Sequence, residues 1–169
     1  MKVLYDSQAF DMQTHGGVSR CFAELYRHMP AFVDARIFVK ETDNVYLREL
    51  GFPASGNLYK DFLCAKDSKL KHFLFKLTYN LKYGDFSRWD KRPLINRNEV
   101  KSVIKNGDYD IFHPTFFDDY FLRLIGKKPF VITVHDMIPE IFSMDAPQAQ
   151  QKLAVIPKAT HLIAVSEQT

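Results

Sequence analysis

The sequence predicts an α/β fold: a Rossmann-like parallel sheet with helices on both faces, and a helical insertion around residues 43–105. Strand-like apolar runs alternate with stretches of helical spacing, an order typical of parallel sheets. These runs are 2–5, 35–40, 110–113, 129–135 and 161–165. The run at 129–135 is β-branched and aromatic without polar alternation, which favours a strand covered on both faces.

Length and composition restrict the class of protein. The 169 residues suffice for one domain with a sizeable core, and 46% hydrophobic with 25% charged residues is typical of a globular protein. Cys21 and Cys64 have no paired spacing, which argues against a disulfide scaffold or a cysteine zinc site. Because no signal peptide or membrane-spanning run is visible, we expect a cytoplasmic protein.

Positive charge is concentrated in one region. Residues 58–105 hold 12 Lys and Arg against 5 Asp and Glu, although the whole chain has a net charge of only +3. Within it, an apolar helical stripe over 66–83 is flanked by lysines. Such a helix is suited to an anionic membrane surface, but lysines in this pattern are more often a solvated rim around a core-facing stripe. No nucleic-acid-binding motif is present, so nucleic acid is not expected as a partner.

The first βαβ unit contains a glycine pair. Gly16 and Gly17 follow the first strand and open a helix whose apolar face begins at Val18 and ends before Pro30. A helix start with glycines can bind phosphate through free N–H groups, and a simple turn is the alternative. The dinucleotide fingerprint GxGxxG and the Walker loop are absent.

Titratable residues follow two later strands. His135 and Asp136 end the run at 129–135, and His113 ends the run before it. At strand ends of a parallel sheet such groups can act as a base or bind sugar hydroxyls. Alternatively, His135 bonds a backbone carbonyl, Asp136 caps a turn before Pro139, and His113 lies at a turn before proline. The spacing of His15, His113 and His135 does not predict a metal site.

The chain stops where a new element is predicted to start. Residues 148–159 are helical in composition, 161–165 form the last strand, and Ser166 is a candidate N-cap of another helix. We therefore expect the sequence to be a fragment, or one domain of a longer protein.

Four segments together resemble the N-terminal domain of family 4 (group 1) retaining glycosyltransferases, which have the GT-B fold. They agree in order and spacing across nearly the whole chain, whereas residues 43–105 match no motif. The segments are Gly16–Arg20, Asp110–Pro114, Val131–Pro139 and Ala159–Thr169.

The resemblance implies a two-domain enzyme, in which residues 1–169 are the acceptor-side domain and a C-terminal donor-binding domain is absent from this chain. It implies that Gly16 and Gly17 approach the donor diphosphate, and that His135 with Asp136 serves the transferring sugar. It implies no metal and no cofactor, the nucleotide-sugar being a substrate. Further residues predicted to line the acceptor cleft are Asp11, His15, Arg20, His113 and Ser166.

The predicted function is sugar transfer from a nucleotide-sugar to a saccharide or glycolipid acceptor, in cell-surface polysaccharide synthesis, in the cytoplasm or at the inner face of the membrane. Turnover by these residues alone is not expected. The alternative is a non-catalytic module that binds an acceptor or a membrane. A nucleotide-dependent epimerase or dehydrogenase is a weaker alternative, because GxGxxG is missing.

Overall fold

The computed structural model describes residues 1–54, 73, 77, 92–142, 147–167 and 169. The predicted lysine-flanked helix at 66–83 lies outside this part, except for Phe73 and Leu77, which are helical and exposed. The described strands are β1 (Lys2–Tyr5), β2 (Asp34–Ile37), β3 (Ile111–His113), β4 (Val131–Val134) and β5 (His161–Ala164). The described α-helices are α1 (Gln8–Met12), α2 (Gly17–Arg27), α3 (Val45–Glu49), α4 (Arg92–Asn106), α5 (Ile138–Phe142) and α6 (Pro147–Val155).

All strand pairings in the described part are parallel, which confirms a mixed α/β fold with a small parallel sheet. One sheet has the order β2-β1-β3 and the other pairs β4 with β5. An isolated parallel bridge between Phe112 and Phe130 joins them, and the Phe112 N–H donates to the Pro129 carbonyl at 3.1 Å. The carboxyl ends of the strands therefore point the same way.

The core lies on both faces of β1, because alternate residues of a strand point to opposite faces. Leu4 packs in a cluster with Val100 of α4 and Phe112 of β3. Tyr5 packs in a second cluster, which includes Phe22 of α2. This arrangement explains why β1 has no polar alternation.

Several element boundaries differ from the sequence prediction. The second strand ends at Ile37 because its partner β1 ends at Tyr5, and two residues after Phe38 the Lys40 N–H donates to the Asn96 side chain at 2.9 Å. The helix predicted over 148–159 is α6 followed by a 3-10 turn at Ile156–Lys158, since Pro157 has no N–H to continue an α-helix. The loop predicted after β1 contains α1.

Among the described residues, no helix combines the length and apolar composition needed to cross a bilayer.

Candidate functional site

The candidate site lies beyond the carboxyl ends of the strands. The sheet order reverses at β1, since β2 lies on one side of it and β3 on the other. In open parallel sheets, ligands bind in the crevice at such a switch point. The segments that arrive there begin with Asp6 after β1, Pro114 after β3 and His135 after β4.

Asp6 holds two of these segments together. Its carboxylate is 0% exposed. It accepts hydrogen bonds from the Thr115 N–H at 2.8 Å, the Thr115 Oγ1 at 2.8 Å, the Gln8 Nε2 at 2.7 Å and the Tyr120 hydroxyl at 3.0 Å. Burial raises the pKa of Asp6, and these hydrogen bonds oppose the shift. The loops after β1 and β3 are thus fixed against each other.

A cavity of about 210 Å³ opens beside Asp6. Its exposed lining surface is mainly apolar and carries several polar side chains, the usual composition of a small-molecule site. The lining residues are Ser7, Gln8, Asp11, Met12, Pro93, Arg97, Phe116, Asp118, Tyr120, Gln148 and Gln151. Asp11, predicted to line the cleft, is among them.

The polar wall of the cavity is organised by bonds between its own residues. The Arg97 guanidinium forms an ion pair with Asp118 and lies 5.2 Å from the centre of the Tyr120 ring. The Gln8 Oε1 accepts from the Asp118 N–H at 2.8 Å. Burial, reinforced by the neighbouring Asp6 carboxylate, raises the pKa of Tyr120, so its phenol stays protonated and donates to Asp6.

An aromatic cluster joins α2 to the ends of three strands. The Phe22 ring lies 5.2 Å from the His113 ring and 5.8 Å from the His135 ring, and Tyr5 lies 5.2 Å from His113. Burial, with a smaller contribution from His135, lowers the pKa of His113 to about 4. The His113 imidazole is therefore uncharged at pH 7. Its Nε2 lies 2.9 Å from the Thr133 hydroxyl, and this hydrogen bond fixes the ring.

Within the described part of the chain, His135 has an unpartnered ring nitrogen. Its Nε2 is buried and has no hydrogen-bond partner among the described residues. Burial lowers the pKa of His135, an effect that Asp136 opposes and Lys152 reinforces. A neutral imidazole of this kind can donate to, or accept from, a substrate hydroxyl.

Asp136 is held beside a buried lysine. Lys152 of α6 is 4% exposed, and its Nζ donates to the Asp136 carbonyl at 2.5 Å and to Glu140 Oε2 at 3.0 Å. The Asp136 carboxylate accepts from the Ile138 N–H at 3.1 Å and is itself exposed. A carboxylate thus faces solvent next to His135.

The glycine pair forms the start of α2, where Gly17 is the first helical residue and Gly16 the extended residue before it. The Gln13 Oε1 accepts from the Ser19 N–H at 3.5 Å, so this side chain occupies one of the N–H groups at the start of the helix. A Cβ added to Gly16 would lie 2.3 Å from that oxygen, whereas Gly17 has open space around it. The bond from Ser19 is long, and a ligand anion could replace it.

Of the predicted site residues, Asp11 alone is among the described residues that line the cavity, so the cavity and the His135 end of β4 are separate features. His15 and Arg20 are exposed. Ser166 is exposed and its hydroxyl lies 3.0 Å from that of Thr169.

Sequence reasoning missed Asp6, Tyr120 and Lys152. Only Asp6 carried a signal, since it is an acidic residue directly after a predicted strand, as Asp136 is. In the part of the chain that the structure describes, no group of three or more His, Cys, Asp or Glu side chains is arranged to hold a metal ion. Comparisons of the chain with models of known families, with curated proteins and with solved structures find no match.

Proposed function

We propose that this chain is the acceptor-side domain of a sugar-nucleotide-dependent glycosyltransferase that transfers sugar with retention to a saccharide or glycolipid. The observation that carries the proposal is that three of the segments that resemble the family meet at the side chain of Phe22. Phe22 lies on the helix that Gly16 and Gly17 open, and it contacts both His113 and His135. Segments far apart in the sequence thus reach one edge of the sheet, as the resemblance implies.

The strand order supports a Rossmann-like fold. The order β2-β1-β3 continues through the bridge from Phe112 to Phe130 into β4-β5. Read as one sheet, this is 2-1-3-4-5, a common order of doubly wound α/β proteins.

Each group has a role that its chemistry permits. The N–H groups at the start of α2 bind the donor diphosphate, which displaces the Gln13 amide. The unpartnered His135 Nε2 bonds a hydroxyl of the transferring sugar, and the Asp136 carboxylate stabilises positive charge that develops at the reacting carbon. The acceptor hydroxyls bind in the cavity, where the side-chain oxygens of Asp11 and Gln8 accept hydrogen bonds.

The test uses the full-length native protein, because the resemblance assigns donor binding to a second domain. Release of nucleoside diphosphate from a panel of nucleotide-sugars is measured with and without saccharide acceptors. We expect acceptor-dependent release, and His135→Ala should lower kcat/KM by about 100-fold or more, the scale of a lost proton-transfer or charge-stabilising group. The matched control is His161→Ala, an exposed histidine at the start of β5, which should keep wild-type kinetics.

Unchanged kinetics in His135→Ala would refute the assigned role of His135, and absence of sugar transfer from every donor would refute the function. A non-catalytic module that binds the acceptor is the second candidate. It is favoured because the residues that line the cavity can bind a saccharide in the absence of a nucleotide-sugar. Saccharide binding without any donor consumption would identify it.

A further inference from the structure

Helix α4 carries three cationic side chains along one face. Arg97, Lys101 and Lys105 are spaced four residues apart, so they follow one side of the helix with a rise of about 6 Å between neighbours. Arg97 lines the cavity beside Asp6, whereas Lys101 and Lys105 line a separate groove of about 990 Å³. The stripe therefore leads from the cavity into the groove.

Tyr120 forms part of both spaces. Its ring lines the cavity and the groove. The Arg97 guanidinium lies 5.2 Å from the ring centre and the Lys101 Nζ lies 5.9 Å from it. The cavity and the groove are therefore neighbours, with Tyr120 between them.

The lining of the groove is cationic. Arg123 and Lys158 line it together with the two lysines of α4, and Asp119 is the single carboxylate among the lining residues, which leaves a formal charge of +3. Lys105, Arg123 and Lys158 are exposed, and none forms an ion pair with another described residue. Unpaired like charges around one concave space attract anions.

We propose that this groove binds the anionic chain of the acceptor, a linear acidic saccharide with repeated carboxylates whose terminal sugar enters the cavity. The inference rests on the proposed function. Arg97 is paired with Asp118, so Lys101 and Lys105 supply the charge along this helix, and the step between them is about the length of one sugar ring, which suits a charge repeated along a saccharide. Leu122 and Phe130 also line the groove and suit the apolar faces of sugar rings. The cations line a concave groove and not a flat face, which favours a chain over a bilayer.

The test is a binding titration that needs no turnover. Purified native protein is titrated with a short linear oligouronate and with the same oligomer after reduction of its carboxyl groups. We expect the acidic oligomer to bind about tenfold tighter or better, and its affinity to fall as salt rises. The double variant Lys105→Glu/Lys158→Glu should lower the affinity for the oligouronate about tenfold or more.

The control variant is Arg48→Glu, a charge reversal at an exposed residue of α3, which packs against α2. It should leave oligouronate binding unchanged. Equal binding of the neutral oligomer, or equal loss in Arg48→Glu, would overturn the inference. So would salt-sensitive binding to anionic phospholipid vesicles without any binding of the oligouronate, which would assign the groove to a membrane.

Failure of this inference is distinguishable from failure of the proposed function. Sugar transfer to a neutral acceptor, with no binding of the oligouronate, would support the glycosyltransferase function and refute the acidic acceptor. Groove-dependent binding of the oligouronate, without consumption of any nucleotide-sugar, would support the groove as an acidic-saccharide site and refute the glycosyltransferase function.

Discussion

At the scale of single residues, Asp6 explains both the order of the site and the limit of sequence reasoning. A buried carboxylate without partners would cost several kcal/mol, and here donors from Thr115, Gln8 and Tyr120 offset that cost. The position of Asp6 after a strand is visible in the sequence. Its partner Thr115 is 109 residues away, and only the pairing of Tyr5 with His113 brings the two together. That register depends on tertiary packing, so no local pattern predicts it.

His113 predicts a pH dependence of stability. Burial lowers its pKa to about 4 in the folded protein, against 6.5 for an unperturbed histidine. Between these values the unfolded chain binds the proton and the folded chain does not, so stability is complete above pH 6.5 and falls as pH drops towards 4. The contribution of His113 should fall by about 2 kcal/mol between pH 7 and pH 5. Urea unfolding at several pH values measures it.

The contribution is isolated by comparing His113→Gln with wild type, because Asp6, with a raised pKa, changes stability in the opposite direction. Between pH 7 and pH 5, the free energy of unfolding of His113→Gln should fall by about 2 kcal/mol less than that of wild type. His28→Gln, at an exposed histidine of the same chain, should keep the wild-type slope. If His113→Gln kept that slope too, His113 would not be neutral in the folded protein.

At the scale of elements, the periodicity of α2 predicted which face is buried but not where that face ends. Phe22 is 2% exposed, whereas Leu25, from the same apolar stripe, is 41% exposed. Leu25 lies about 60° around the helix from Phe22, at the edge of the stripe. The edge stays open because α2 packs mainly on strand ends through Tyr5 and His113, a geometry that spacing alone does not contain.

Phe22 should therefore fix the position of α2. Phe22→Ala removes a ring packed against Tyr5, His113 and His135, and it should lower the free energy of unfolding by about 3–5 kcal/mol. Leu25→Ala on the same helix should cost less than about 1 kcal/mol, because that side chain already contacts water. Denaturant unfolding of both variants measures the difference. Equal losses would mean that α2 is not held at the strand ends by this ring.

At the scale of the whole molecule, alternation of strands and helices sufficed to predict a parallel α/β sheet, because the hydrophobic pattern of each element determines its type. The arrangement of the site was less accessible. Asp11, singled out as a cleft residue, lines the cavity with Arg97 of α4, and 86 positions separate them in the chain. Cavities form between elements, so their lining depends on packing that a single sequence does not reveal.

The position of each strand in the sheets predicts its resistance to opening. β1 pairs on both sides and its Leu4 is buried, whereas β5 pairs with β4 alone among the described strands and all four of its residues are exposed. Backbone amides exchange slowly where opening requires the core to open, so β1 should exchange slowest and β5 much faster. Hydrogen exchange followed by mass spectrometry compares them, with β4 as an internal control because it also pairs with β5 but has Ile132 buried. Protection of β5 equal to that of β1 would contradict this hierarchy and show that another surface covers β5 in solution.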